Sequence, residues 1–162
     1  MFKKLNKKGF TLIELLAVII ILAILIAVAV PAVTRYLNGA RKDTFVSNAK
    51  SAIQAVADDV VINGMQNPTA VSGSNKTSTT YDYQAINKLL DTKLDQSPFG
   101  QDYSTDSFIT VTYDPELQVY TYSICLVDAG NNGFSGTAEQ KAVAYDSITS
   151  GNIKVGNAVA CK

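Results

Sequence analysis

The chain has 162 residues, 47% of them hydrophobic, and a formal net charge of zero. Its length allows one compact domain and a separate N-terminal element. The sequence contains no histidine, which excludes His-based catalytic triads and imidazole metal sites. Glycine-rich phosphate loops, C-x-x-C redox pairs and basic stripes are also missing from the sequence. We therefore expect no enzymatic activity, no cofactor, no metal and no specific nucleic-acid partner.

The N-terminus combines a basic segment with a long apolar one. Four lysines and no acidic residue precede the apolar run, at Lys3, Lys4, Lys7 and Lys8. From Leu12 to Val33 this run is interrupted only by Glu14 and Pro31. As a helix, residues 10–33 would reach about 36 Å, enough to cross the roughly 30 Å hydrocarbon core of a bilayer. The lysines predict a cytoplasmic N-terminus and an exported C-terminal part, residues 34–162.

After the apolar run the pattern becomes that of an amphipathic helix. Apolar residues recur at helical spacing, at Phe45, Ala49, Ala52, Ile53, Val56 and Val60. Gly64 suits a C-terminal cap, so we predict one helix that extends from the apolar run to residue 63. Inside this helix Pro31 removes an amide donor, which predicts a kink or a local opening there.

The remaining sequence indicates an α+β fold. The polar stretch from Pro68 to Thr80 is predicted to be an exposed loop, and a short helix is predicted within Tyr83–Leu94. Strands are predicted in the last third of the chain, at Phe108–Tyr113, Leu117–Val127, Ala142–Ile148 and Ile153–Ala160. The first two of these form a hairpin. We therefore expect a long N-terminal α-helix packed on an antiparallel β-sheet of about four strands.

Two cysteines, Cys125 and Cys161, lie in the part of the chain that is predicted to be exported. An even number of cysteines in an oxidising compartment favours one disulfide, and two free thiols are the alternative. The closed loop would hold about 37 residues, which the chain-entropy model values at roughly 4 kcal/mol.

The segment from Asp128 to Glu139 approaches the D-x-[DN]-x-[DN]-G-x5-E pattern of calcium loops. Asp128, Asn132 and Glu139 would supply side-chain oxygen ligands, but Gly130 at the third position of the pattern supplies none. Predicted strands also flank the segment in place of helices. We therefore interpret it as a Gly/Asn turn that follows the strand containing Cys125.

A specific resemblance appears in the eight residues that lead into the apolar run, Lys7-Lys8-Gly9-Phe10-Thr11-Leu12-Ile13-Glu14. They resemble the processing site of type IV prepilins and the related pseudopilins. Those precursors have a short basic leader that ends in Gly and is usually followed by Phe, with Glu as the fifth residue after the cut. The resemblance implies that a membrane-embedded prepilin peptidase cleaves between Gly9 and Phe10 and methylates the new amine of Phe10. Pro31 falls where many members of the family carry a proline.

The resemblance covers residues 1–60 closely, and beyond them only the architecture matches. It implies a leader peptide at residues 1–9, a transmembrane and filament-core helix at residues 10–33 and an exported globular domain at residues 34–162. Glu14 would pair with the Phe10 amine of a neighbouring subunit, because opposite charges attract strongly where the dielectric constant is low. Glu14 would thereby set the register between subunits.

The function implied by the resemblance is that of a structural subunit of a type IV pilus. The precursor would be a single-pass membrane protein, and the product would be an extracellular filament of many copies on the cell surface. An assembly platform with an ATPase would build the filament. Such pili serve adhesion, twitching motility, DNA uptake or biofilm formation.

Several alternatives stay open. A pseudopilin of a type II secretion or competence system carries the same motif, and a minor adhesive pilin would use the predicted loop at residues 68–80 as its surface. Outside this family, the N-terminus would be an ordinary secretory signal peptide cut after Ala27-Val28-Ala29, or a plain single-pass anchor. Glu14 interrupts the start of the apolar region and the amphipathic continuation indicates that the helix is kept whole, which argues against a signal peptide.

Overall fold

A computed structural model describes residues 9–137 and 141–161 of the chain. The four leader lysines and Glu139, which the sequence analysis singled out, lie outside the described residues. The first helix, α1, extends from Leu12 to Asn63. Contacts within the chain define two units, one ending at Asn38 and the other beginning at Gly39. The two units are described separately.

The first unit contains the apolar part of α1. An 18-residue window of this helix has a mean hydropathy of 3.2 and none of it is buried, so by length and composition the helix is able to cross a membrane. Helical structure is continuous through Pro31. Beside it, the hydroxyl of Thr34 donates a hydrogen bond to the carbonyl of Val30 at 2.9 Å. The kink expected at Pro31 stays a prediction.

In the second unit α1 buries the face that the sequence predicted. The buried residues of the helix are Phe45, Ala49, Ala52, Ile53, Val56 and Val60. They share one hydrophobic core with Ile109, Val111 and Ile124 of the sheet. The helix also ends as predicted, because Gly64 has a φ of +73° and its N–H donates to the carbonyl of Val60 at 3.0 Å.

An aromatic cluster surrounds Phe45, which is fully buried. Its ring centroid lies 5.3 Å from that of Tyr103, 5.8 Å from that of Phe134 and 6.1 Å from that of Phe99. Aromatic pairs at these separations add to the stability that area burial supplies. The cluster ties α1 to three segments that follow it in the sequence.

The sheet is antiparallel throughout and has six strands. They are β1 (Thr69–Ala70), β2 (Thr77–Asp82), β3 (Phe108–Asp114), β4 (Val119–Val127), β5 (Gly133–Phe134) and β6 (Val143–Ala144). Strands β1 to β5 lie side by side in chain order, and β6 also pairs with β4. The predicted α+β class and the β3–β4 hairpin are confirmed. The sheet has six strands in place of about four, because β1, β2 and β5 lie outside the predicted strands and the strand predicted at residues 153–160 does not form.

Two other predicted segments differ in their extent. The predicted loop at residues 68–80 contains β1 and the first part of β2, since β2 pairs with β3 at six positions. The short helix, α2, covers Tyr83–Leu89 and ends at Leu90, whose φ of −86° and ψ of 135° are extended. Its N-cap, Asp82, accepts a hydrogen bond from the N–H of Ala85 at 2.8 Å.

The C-terminal part of the chain contains less strand than the sequence predicted. Of residues 142–148 only the two residues of β6 are extended, and a 3-10 turn, Tyr145–Ser147, follows them. Residues 153–160 form no strand, and their one β-bridge pairs Lys154 with Gly133. The segment is held instead by separate hydrogen bonds, such as the one from the N–H of Ala158 to the carbonyl of Asn131 at 2.9 Å. Its hydrogen-bond partners are single residues of β5 and of neighbouring turns, so no ladder of consecutive pairs forms.

A disulfide joins Cys125 of β4 to Cys161 near the end of the chain. Both cysteines are buried in a small cluster with Val127 and Ala158, separate from the main core. The bridge therefore attaches the irregular C-terminal segment to the longest strand of the sheet.

One salt bridge connects the turn before β2 to the last residue of β3. Lys76 Nζ lies 2.9 Å from Asp114 Oδ2, and the other oxygen of Asp114 accepts the N–H of Glu116 at 3.0 Å and that of Leu117 at 3.3 Å. The hydrogen bond from Lys76 is the main reason why the pKa of Asp114 lies below its ordinary value. This carboxylate organises the predicted Asp-Pro-Glu turn of the hairpin.

Candidate functional site

The first turn of α1 places Glu14 beside Thr11. The N–H and the hydroxyl of Thr11 both donate to Glu14 Oε2 at 2.8 Å, and the N–H of Glu14 donates to Thr11 Oγ1 at 3.3 Å. This reciprocal pattern is a capping box, in which the two side chains satisfy backbone donors at the start of a helix. The carboxylate of Glu14 is thereby fixed at the head of the apolar segment.

Thr11 is a site residue that the sequence analysis did not single out. The signal that identifies it is the T-x-x-E spacing of Thr11 and Glu14 directly before an apolar run. The capping box occupies only one oxygen of the carboxylate. Among the described residues, Glu14 Oε1 accepts no hydrogen bond, so this oxygen is available to a further donor.

Gly9 and Phe10 precede the helix, and both are exposed. The Phe10 side chain is 91% exposed, and a Cβ added at Gly9 would meet nothing within 4 Å. An amine created at Phe10 would lie within about one helical turn of Glu14. The arrangement therefore combines an accessible peptide bond, a carboxylate one turn further along and an apolar helix behind it.

The other predicted site residues do not belong to this motif. Pro31 is on the same helix, about 26 Å beyond Glu14 at the rise of an α-helix. Cys125 and Cys161 belong to the second unit, where they form the disulfide already described. Their environment is structural, since both are buried and neither is a free thiol.

The turn that resembles a calcium loop is organised by hydrogen bonds to Asp128, which is 2% exposed. Asp128 Oδ1 accepts from the N–H groups of Gly130 and Asn132, both at 2.9 Å, and Oδ2 accepts from the hydroxyl of Ser97 at 2.5 Å. The Asn132 amide nitrogen also faces Asp128, at 3.0 Å. Within residues 9–137 and 141–161 no group of three potential metal ligands occurs. Through these hydrogen bonds the carboxylate of Asp128 orders the turn.

Comparison with known families gives one match. Residues 4–30 match the family described as "Prokaryotic N-terminal methylation motif". The chain thus carries the prepilin motif of type IV pilins and pseudopilins, and the resemblance seen in the sequence is confirmed over this segment. No curated protein and no solved structure gives a match to the chain.

The motif indicates a structural, pilin-like protein of the type IV pilin or pseudopilin class. It implies processing by a prepilin peptidase and assembly by pilus or secretion machinery. Together with the apolar part of α1, it fits a precursor that is anchored in a membrane.

Proposed function

We propose that this chain is a structural subunit of a type IV pilus, cut between Gly9 and Phe10, methylated at Phe10 and assembled through α1. The apolar half of α1 carries this proposal. From Leu12 to Val33 its large apolar side chains are between 49% and 86% exposed. So long an apolar surface requires lipid or other apolar helices around it.

Cleavage would change the partner of this helix. The leader carries four lysines, which anchor the N-terminus on the cytoplasmic side of the membrane. Once they are removed, the helix can be drawn out of the bilayer into a bundle with the helices of other subunits. The membrane then acts as a store of subunits, and residues 34–162 form the outer part of an extracellular filament.

Glu14 would set the register between subunits. A charge near the end of an apolar span costs on the order of 3 kcal/mol or less, depending on depth, so a partner is required. The amine of Phe10 in a neighbouring subunit can supply it, since Glu14 Oε1 accepts no hydrogen bond among the described residues. An axial stagger between subunits would pair every such amine with a carboxylate while the apolar side chains fill the filament core.

Electron microscopy of surface filaments, combined with mass spectrometry of their subunits, tests the function. We expect abundant filaments whose subunits begin at a methylated Phe10. A pseudopilin would be nearly absent from a preparation of sheared filaments. A secretory signal peptide would give free monomers that begin at Val30, and a plain anchor would keep the leader.

Two substitutions of Glu14 separate its charge from its role in the capping box. Glu14→Gln keeps an acceptor at the third helical position and removes the charge, whereas Glu14→Ala removes both. We expect both precursors to insert in the membrane and to be cleaved, and both to yield far fewer filaments than the wild type. Normal piliation of Glu14→Ala would refute the register role.

Thr11→Ala provides the matched control, because it removes the cap and leaves the charge. Loss of an N-cap costs about 1 kcal/mol of helix stability, so we expect filaments to persist in this variant. If Glu14→Gln formed filaments like the wild type and Thr11→Ala formed none, the function of Glu14 would be to cap the helix and not to supply a charge.

A further inference from the structure

An open groove lies beside the C-terminal part of α1 in the second unit. It has a volume of about 750 Å³ and lies between the helix, from Asn48 to Asn63, and residues 89–96 after α2. Its lining includes three acidic residues and one basic residue, namely Asp58, Asp59, Asp91 and Lys93. The groove therefore presents net negative charge.

Two of the three carboxylates are available to a partner. Asp58 is exposed, and one of its oxygens accepts the amide of Gln54 at 2.9 Å. Asp91 is exposed and accepts no hydrogen bond within the part of the chain that the structure describes. Asp59, in contrast, is engaged inside the domain, where it accepts the hydroxyl of Tyr81 at 3.0 Å.

Arg41 is an unpaired cation on the same helix. Its side chain is exposed, and the salt bridge between Lys76 and Asp114 is the only one among residues 9–137 and 141–161. The acidic residue nearest in sequence, Asp43, is two positions away, and residues so spaced do not face each other on a helix. A guanidinium group presents a planar fork of donors that suits carboxylates.

The spacing of these groups along α1 fits a repeated contact between copies. Arg41 precedes Asp58 by 17 residues, which is about 26 Å along the helix axis and about 100° around it. Because the two side chains point in different directions, a second copy that is shifted by this distance and rotated about a filament axis would bring its Arg41 to the groove of the first. Because the two surfaces differ, such a contact repeats without closing and generates a filament.

We propose that Arg41 of one subunit docks in the groove of a second copy, with its guanidinium group against Asp58 and Asp91. This inference rests on the filament function proposed above and names a contact between its exported domains. A second copy is the occupant because the same chain supplies both the acidic groove and an unpaired cation at a spacing that a helical filament can repeat.

Charge reversal in cells that carry the complete assembly machinery tests the contact. Arg41→Glu would place like charges in the groove, and Asp58→Arg would oppose arginine to arginine. Each variant should reduce the amount of sheared filament about tenfold, and the double variant should restore it to within about twofold of the wild type. Failure of the double variant to recover, or normal filaments from either single variant, would overturn the pairing.

Asp146→Arg is the matched control. Asp146 is exposed in the 3-10 turn Tyr145–Ser147 and does not line the groove, so this reversal should leave filament yield unchanged. An equal loss in Asp146→Arg would show that net charge, and not the pairing, determines the yield. Absence of filaments from wild-type cells would refute both proposals, whereas wild-type filaments with unaffected single variants would refute only the pairing.

Discussion

Removal of the disulfide tests how the C-terminal segment is held on the sheet. The substitution Cys161→Ala breaks the bridge and leaves Cys125 as a buried thiol, which behaves as a small apolar side chain. The two cysteines are 36 residues apart in the sequence. A loop of that length gives the bridge about 4 kcal/mol of stabilisation in the chain-entropy model.

The contacts around Cys161 indicate which segment would unfold first when the stabilisation from the disulfide is lost. Ile153 is buried in the main core, but without the bridge residues 154–161 would be retained mainly by separate hydrogen bonds, including those from the N–H of Gly156 to Asn132 and from the N–H of Val159 to Ser135. Each such bond contributes about 1 kcal/mol, comparable to the entropy of fixing one residue, so together they hold the segment only marginally. We expect the segment to detach before the sheet unfolds.

Thermal unfolding followed by circular dichroism measures the effect on the full chain in detergent. For a domain of this size, a loss of about 4 kcal/mol corresponds to a fall in Tm of roughly 15 °C. A reductant should lower the wild-type Tm to that of Cys161→Ala and leave the variant unchanged. The neighbouring, exposed Ala160→Ser is the control and should not shift the Tm. A variant that melts with the oxidised wild type would show that the bridge contributes nothing to stability.

The remaining predictions concern the second unit. Gly133→Ala should destabilise it by about 3 kcal/mol or more in a urea titration, because at a φ of +144° an added Cβ would overlap the Leu126 carbonyl. Gly64→Ala, at a φ of +73° with open space around it, should cost only about 1 kcal/mol. Burial raises the pKa of Tyr103 to about 12, so its hydroxyl should stay protonated in the folded state when exposed tyrosines ionise. The contribution of Tyr103 to the free energy of unfolding is complete below the ordinary tyrosine pKa and is lost as the pH rises towards 12. Tyr103→Phe should remove this pH dependence. Asp128→Asn should destabilise the domain by about 3 kcal/mol, because an amide replaces an acceptor of several hydrogen bonds, and calorimetric titration of the wild type with calcium should give no heat.

The buried face of α1 was predictable because helix periodicity reports packing directly. A helix that lies on one side of a sheet buries a single stripe, and in residues 45–60 every member of that stripe is apolar. The β3–β4 hairpin was predictable for a similar reason, since dense β-branched and aromatic residues on both sides of an Asp-Pro-Glu turn favour paired strands.

The short strands and the C-terminal segment were not predictable from local pattern. Residues 153–160 contain the β-branched residues typical of a strand, yet a strand also needs a free edge to pair with. The bonds of this segment go to turns such as the one at Asn131, which become neighbours only when the chain has folded. Likewise, the six-position pairing of β2 depends on β3, which follows it after a helix and a long irregular segment.

The candidate site likewise contains residues that the local sequence reveals and others that it does not. Gly9, Phe10 and Glu14 were identified through their resemblance to the prepilin processing site, a motif that is contiguous in sequence and precedes an apolar run. Thr11 was detectable from the T-x-x-E spacing of residues 11–14, but only if its hydroxyl is interpreted as a helix cap. The acidic groove was not detectable, since Asp58 and Asp91 come from segments that only the tertiary structure brings together.

In the two proposed charge contacts, the paired groups are separated by different distances along α1. This difference determines which neighbours each subunit can contact in the filament. Phe10 and Glu14 are about 6 Å apart along the helix axis, whereas Arg41 and Asp58 of the groove are about 26 Å apart. A single neighbour cannot be shifted by both distances, so the two contacts would join each subunit to two different neighbours. Contacts with different neighbours should be lost independently, so combining Glu14→Gln with Arg41→Glu should give the product of their separate effects on filament yield. A combined effect no larger than that of Glu14→Gln alone, measured where that variant retains residual filaments, would mean that both contacts act in the same assembly step.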